Sequence, residues 1–178
     1  MNINNNINNN KESIMSDEQQ NSTYDRLLSF LNERAIPYRE VEHSPEGRTD
    51  VVSTIRGNRL EQAVKAIVMI VKNDRKSRRK LLVCVQGDRR VSFAKVARAG
   101  GGGEARFAPP DLAESLTGCT LGSVPPISFN DELKVVVDPT LLEQPEVVFN
   151  AARLDRSLFV PARPFFEAVG ASVAAVAE

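Results

Sequence analysis

The stretch Gly118-Cys119-Thr120-Leu121-Gly122-Ser123-Val124-Pro125-Pro126 places two glycines and two prolines among apolar residues, just ahead of a strand-like run from Leu133 to Val137. Glycine lets backbone approach a ligand closely, and proline stiffens the exit from a turn. A loop of this make can aim consecutive backbone N–H groups at a carbonyl or a phosphate. The plainer reading is an ordinary structural turn. Cys119 within it invites a nucleophile, but a reactive thiol needs a nearby base or a positive setting. The one histidine, His43, lies far upstream, so a passive loop cysteine is the plainer reading here as well.

Lys65 is the second candidate. It interrupts the apolar run Ala63 to Val71, so on a strand its side chain faces away from Val64 and Ala66. A lone ammonium among apolar neighbours either snorkels to water or lines a pocket, where it can hold a phosphate or a developing negative charge. Asn150 and Asp155 bracket the connection Asn150-Ala151-Ala152-Arg153-Leu154-Asp155. They either satisfy backbone groups in a turn or orient Lys65 or a bound hydroxyl. No Ser-His-Asp pattern and no cluster of soft metal ligands stands out, so neither metal nor cofactor is expected.

The remaining segments must position these groups. Met1 to about Asn21 is Asn-rich and nearly free of apolar residues, which predicts a disordered tail followed by one domain over 22–178. Tyr24, Leu27, Leu28 and Leu31 recur at helical spacing after the cap candidates Ser22 and Thr23. Pro37 ends that helix, and a short strand is expected from Tyr38 to His43. A second helix spans Thr49 to Arg56, stopped by Gly57. Ala63 to Val71 and Leu81 to Gln86 read as a strand pair joined by a long charged tip, Lys72 to Lys80. Such a tip is usually solvated, and it lacks the interleaved aromatics of a base-stacking surface.

Helices from Ser92 to Ala99, Pro110 to Leu116 and Ala162 to Val169 follow. Strands are expected at Glu104 to Ala108, Leu133 to Val137, Val147 to Phe149, Ser157 to Val160 and Ser172 to Val176, with a turn at Asp138-Pro139. Together they predict an α+β domain on a mixed, partly closed β-sheet or barrel flanked by helices. The 178 residues suffice for one core, and the 23 basic and 23 acidic residues cancel, so net charge argues for neither nucleic acid nor membrane. The longest apolar run is too short to span a bilayer. Two cysteines and no signal-peptide pattern fit a reducing cytosol.

Four blocks, in order, resemble the YbaK and prolyl-tRNA synthetase-associated editing domain family. They are Val52-Ser53-Thr54-Ile55-Arg56-Gly57, Ala63-Val64-Lys65-Ala66-Ile67-Val68, Leu116 to Pro126, and Phe149 to Asp155. The first block and the approach to Lys65 look most like the YeaK-type subgroup. The resemblance implies a cytoplasmic, free-standing hydrolase that removes a wrong amino acid, such as Ser, Thr or Ala, from the 3′ end of mischarged tRNA. It implies Lys65 and Gly118 as catalytic positions, and Cys119, Thr120, Gly122, Ser123, Pro126, Asn150 and Asp155 as substrate-binding ones. It also implies no covalent nucleophile, assistance from a hydroxyl of the terminal adenosine, and an aminoacyl-tRNA synthetase as a further partner. The alternative is a non-catalytic module that binds aminoacyl-tRNA or a synthetase.

Overall fold

Strands made of unbroken apolar runs need cover on both faces, and the central pair here has it. The computed structural model describes residues 22–74 and 77–178. Helix α1 covers 22–33. Strand β1 (Arg39–Glu42), helix α2 (Thr49–Arg56), a single 3-10 turn (Leu60–Gln62) and the long strands β2 (Val64–Lys72) and β3 (Arg78–Gln86) follow. Then come α3 (Phe93–Ala99), β4 (Glu104–Phe107), α4 (Pro110–Thr117) and β5 (Leu133–Val137). The chain closes with α5 (Pro139–Leu142), β6 (Glu146–Asn150), β7 (Arg156–Pro161), α6 (Ala162–Val169) and β8 (Ser172–Val173).

The strands divide into a three-stranded sheet, β1-β7-β6, and a five-stranded sheet, β4-β2-β3-β5-β8. The larger one is mixed: β2 runs antiparallel to β3 and β4, while β5 runs parallel to both β3 and β8. Leu82 and Cys84 on one face of β3 join the main core with Leu27, Leu31, Phe149 and Phe165. Leu81, Val83 and Val85 on its other face pack with Val96 of α3 and Val176 near the C-terminus. A bridge between Ala63 and Val148 joins the two sheets, which do not close into a barrel.

The α+β class and the mixed sheet expected from the sequence are present, and α2 matches its expected limits. The charged tip is shorter than expected, because Lys72 pairs with Arg78 and Val71 with Arg79. Backbone pairing extends through charged residues wherever their side chains reach water, so charge alone did not mark the turn. Pro139 opens α5 rather than a simple turn, with the Asp138 carboxylate accepting the Thr140 N–H at 3.1 Å. The last strand is only Ser172–Val173. The expected Asn-rich tail lies outside the described residues. Among the described residues no helix is long and apolar enough to cross a membrane.

Candidate active site

A cavity of about 350 Å³ opens where α2, β2, the β4–α4 junction, the Leu121–Gly122 turn and the end of β6 converge. Five consecutive β2 residues, Val64 to Val68, line it. They can do so because that edge of β2 is open. Strand β4 pairs with β2 only from Met69 onward, and the bridge to Val148 ends at Ala63. The Val68 carbonyl accepts the Ala108 N–H at 2.9 Å on this edge. Backbone groups alternate sides along a strand, so those of Val64 and Ala66 face the cavity as well.

Asn150, the last residue of β6, ties the rim together. Its side-chain amide donates to the Glu46 and Gly122 carbonyls, each at 2.9 Å. Two carbonyl acceptors fix the amide nitrogen, so Oδ1 must face the other way. There it accepts from Arg56 Nη1 at 3.3 Å and from the Ser157 hydroxyl at 3.0 Å. Arg56 also donates to Ser157 Oγ at 3.1 Å, Asn58 Oδ1 at 3.0 Å and Ser53 Oγ at 3.4 Å. All four acceptors are neutral, and no carboxylate among the described residues pairs with this guanidinium. Burial pushes its pKa down to about 10. Arg56 is a cation inside the cavity wall with its charge uncompensated.

His43 sits behind this network, with Nε2 at 2.6 Å from Ser157 Oγ and Nδ1 at 2.9 Å from the Ser44 carbonyl. A carbonyl only accepts, so Nδ1 carries a proton. Ser157 and His43 have the atoms of a nucleophile and base. Yet Ser157 is 0% exposed and is not among the residues lining the cavity, so its hydroxyl serves as a hub that holds Asn150 and Arg56.

The Gly118 to Pro126 loop divides in two. Only Leu121, Gly122 and Val124 line the cavity. Ser123 N–H returns to the Thr120 carbonyl at 3.0 Å, with Gly122 at φ +89°, the geometry of a type II turn. Glycine is required there for a second reason. A Cβ on Gly122 would lie 2.8 Å from the Gly47 Cα. Gly118 is the left-handed cap of α4, and its N–H is used by the Glu114 carbonyl at 2.8 Å. Cys119 and Ser123 are buried, and Pro126 packs inward too. The Cys119 thiol faces the Thr117 carbonyl at 3.4 Å, and burial pushes its pKa up to about 12. A thiol so placed does not ionise near neutral pH.

Lys65 lines the cavity from the open β2 edge, on the opposite side of the strand from Val64 and Ala66 as parity requires. Its amine donates to the Arg89 carbonyl. Burial holds its pKa below the ordinary lysine value, opposed by Asp88 and aided by Arg90. Asp155 lies outside the cavity lining. Arg153 grips its carboxylate at 2.8 Å and holds its pKa below the ordinary range. Of the nine expected site residues, the fold brings Lys65, Gly122 and Asn150 to the cavity, while Gly118, Cys119, Thr120, Ser123, Pro126 and Asp155 support the loops behind it. Arg56 was not among them. Its signals were its place in the Val52 to Gly57 block and its position at the end of an apolar-faced helix, immediately before the capping Gly57.

The two-sheet α+β fold thus carries a small backbone-lined cavity with a guanidinium in its wall. The family model described as the aminoacyl-tRNA editing domain matches residues 43–165, and the chain belongs to that family. It is 37% identical over 139 residues to the multifunctional Ser/Thr-tRNA deacylase ProXp-y of Escherichia coli K12, covering 78% of this chain and 83% of that protein. It is 25% identical over 115 residues to the proline–tRNA ligase of Methylobacillus flagellatus, covering 65% of this chain and 20% of the ligase. The crystal structure of a candidate trans-editing enzyme for prolyl tRNA synthetase superposes with a TM-score of 0.74 at 26% identity, covering 88% of this chain and 97% of that one.

Proposed function

We propose that the chain hydrolyses the ester joining a small amino acid, serine or threonine foremost, to the 3′ end of mischarged tRNA. Its class, a trans-editing aminoacyl-tRNA deacylase, accords with its family. The amino acid and the residue roles are the proposal. Water adds to the ester carbonyl carbon, negative charge gathers on the former carbonyl oxygen, and the bond to the ribose oxygen then breaks. That oxygen takes a proton, and the amino acid leaves with a free carboxylate. A hydroxyl of the terminal adenosine helps orient the water.

The observation that carries this reading is Arg56, a guanidinium beside a small cavity with four neutral partners and no carboxylate. Charge developing in the tetrahedral intermediate meets it without any reorganisation of the site. The open backbone edge at Ala66 and the Gly122 turn bound the aminoacyl group. Lys65 holds the phosphate side of the terminal nucleotide. Positioning of this kind lowers the barrier for an ester that is already activated. Neither buried candidate nucleophile, Cys119 or Ser157, is needed.

The test is a deacylation panel of seryl-, threonyl- and alanyl-tRNA mischarged on several tRNAs, with Lys65→Ala compared with the native chain. Release of serine or threonine, lost in a folded Lys65→Ala, is the expected result. Binding of all these tRNAs without turnover would replace the enzyme by a binding module. Full activity in Lys65→Ala would remove the lysine from the mechanism.

A further inference from the structure

Five large apolar side chains stand exposed among the described residues, and three of them gather at the cavity mouth. Leu121 and Phe107 line it at 48% and 52% exposure, and Phe93, 44% exposed, touches Phe107. The two rings meet edge to face, with centroids 5.0 Å apart and planes 69° apart. Neither ring belongs to a core cluster. Nevertheless both are rigidly carried. Phe107 ends β4, where the Ala108 N–H is bound to Val68. Phe93 opens α3 behind Ser92, whose side chain accepts the Lys95 N–H at 3.3 Å and whose own N–H is held by the Val176 carbonyl at 2.8 Å. Exposed aromatics on fixed backbone cost solvation without adding to the core, which marks a contact surface.

A strip of cations adjoins the pair. The segment Arg89-Arg90-Val91-Ser92-Phe93 runs from the Lys65 amine, bound at the Arg89 carbonyl, to the Phe93 ring. Arg89 and Arg90 are exposed; Asp88 precedes them, and Glu178 lies alongside, its N–H donating to the Arg90 carbonyl at 2.9 Å and its carbonyl accepting from Arg89 Nη1 at 3.5 Å. On β2 the side chains of Lys65, Ile67 and Met69 share one face, and Phe107 pairs with Met69, so the ring lies on the same face as the lysine. Basic groups interleaved with exposed rings, leading into a cavity, are the surface chemistry that receives single-stranded nucleotides.

We propose that Phe107, braced by Phe93, is the stacking platform for the terminal base of the tRNA 3′ end, with Arg90 and Lys65 facing the adjoining phosphates. The inference rests on the deacylase reading for its ligand. It adds a site for the base at the mouth of the aminoacyl pocket. Stacking is indifferent to which amino acid is attached, so the platform would supply affinity while the inner cavity supplies selectivity.

A short single-stranded RNA ending in 2-aminopurine tests it directly, since the fluorescence of that base falls on stacking. Quenching by the native chain is expected, lost in Phe107→Ala and in Phe107→Leu, and restored in Phe107→Tyr, with all three variants folded by circular dichroism. Removing one stacked ring should weaken binding by roughly tenfold or more. In a parallel arm, 3′-O-seryl-adenosine is compared with the seryl ester of a ribose lacking the base. The native chain should prefer the adenosine ester through KM, and Phe107→Ala should lose that preference, the KM ratio of the two esters falling towards one. No quenching by the native chain overturns the platform even if deacylation is robust. Quenching without hydrolysis of either ester leaves the platform standing and sinks the deacylase reading. A Phe107→Ala that quenches normally but changes the sedimentation coefficient would assign the patch to a second copy of this chain and overturn the inference.

Discussion

The Asn150 side-chain amide donates to the Gly122 carbonyl at 2.9 Å across 28 residues of chain. The same nitrogen reaches the Glu46 carbonyl, so one side chain holds both backbone segments that bound the cavity mouth. Asn150→Ala should therefore loosen the Gly122 turn and free Arg56 at once. Leaving buried polar partners unmatched costs about 1–3 kcal/mol. A lower melting temperature, together with at least a tenfold fall in deacylation, is the expected outcome. An unchanged rate would mean that the clamp is dispensable.

Arg56 separates stability from function. Relief of the desolvation of a cation that has no anionic partner is offset by the hydrogen bonds its four acceptors lose, so Arg56→Met should change the melting temperature little. Loss of the same cation should lower kcat by about 100-fold or more if it meets transition-state charge. Thermal unfolding and single-turnover deacylation on one preparation would show whether the two effects part as stated.

The Gly47–Gly122 contact is asymmetric. At Gly122 a Cβ would meet Gly47 backbone at 2.8 Å, and the residue also has φ +89°. At Gly47 the nearest atoms would be 3.3 Å away, one of them on the flexible Leu154 side chain. Gly122→Ala should cost about 1–3 kcal/mol and most of the activity. Gly47→Ala should be mild, and equal penalties at the two positions would contradict this geometry.

Cys119 should be silent. With its pKa pushed up to about 12, it should resist a thiol-specific reagent at pH 8 in the folded protein and react only on unfolding. Cys119→Ala should retain deacylation. A rate that collapses in this variant would restore the cysteine as nucleophile.

Asp138 sets an acid limit on stability. Burial raises its pKa, but the Thr140 hydroxyl and the Val176, Ala177 and Thr140 N–H groups outweigh that and leave it below the ordinary value. The unfolded state thus binds the proton more readily, and stability rises with pH through the carboxylate range. The contribution is complete above about pH 4 and is lost as pH falls through the lower folded value. Asp138→Asn should be less stable at pH 7 and converge on the native chain at low pH, as followed by denaturant midpoints.

Much of this was legible in the residues. The apolar spacing and Gly57 bounded α2, and strand parity put the Lys65 side chain opposite Val64 and Ala66. The Gly-rich loop was singled out as a unit, whereas only its Leu121–Gly122 tip and Val124 reach the cavity. The exposed ring at Phe107 was not legible, because a phenylalanine at a strand end is ordinarily core. Asp155 was a candidate because a carboxylate in a connection can either serve the turn or orient a ligand, and only the structure shows it held by Arg153 outside the cavity lining.

Local spacing determined the elements, their punctuation and the glycines that a tight turn demands, since these depend on neighbours within a few residues. Tertiary structure decided which polar groups are compensated. Arg56 meets Asn150 and Ser157 across 94 and 101 residues. Only that convergence distinguishes an unneutralised cation in a cavity wall from an ordinary surface arginine. The backbone edge of β2 is open for the same kind of reason. Whether a strand edge is paired depends on where another strand stops, here β4 at Phe107.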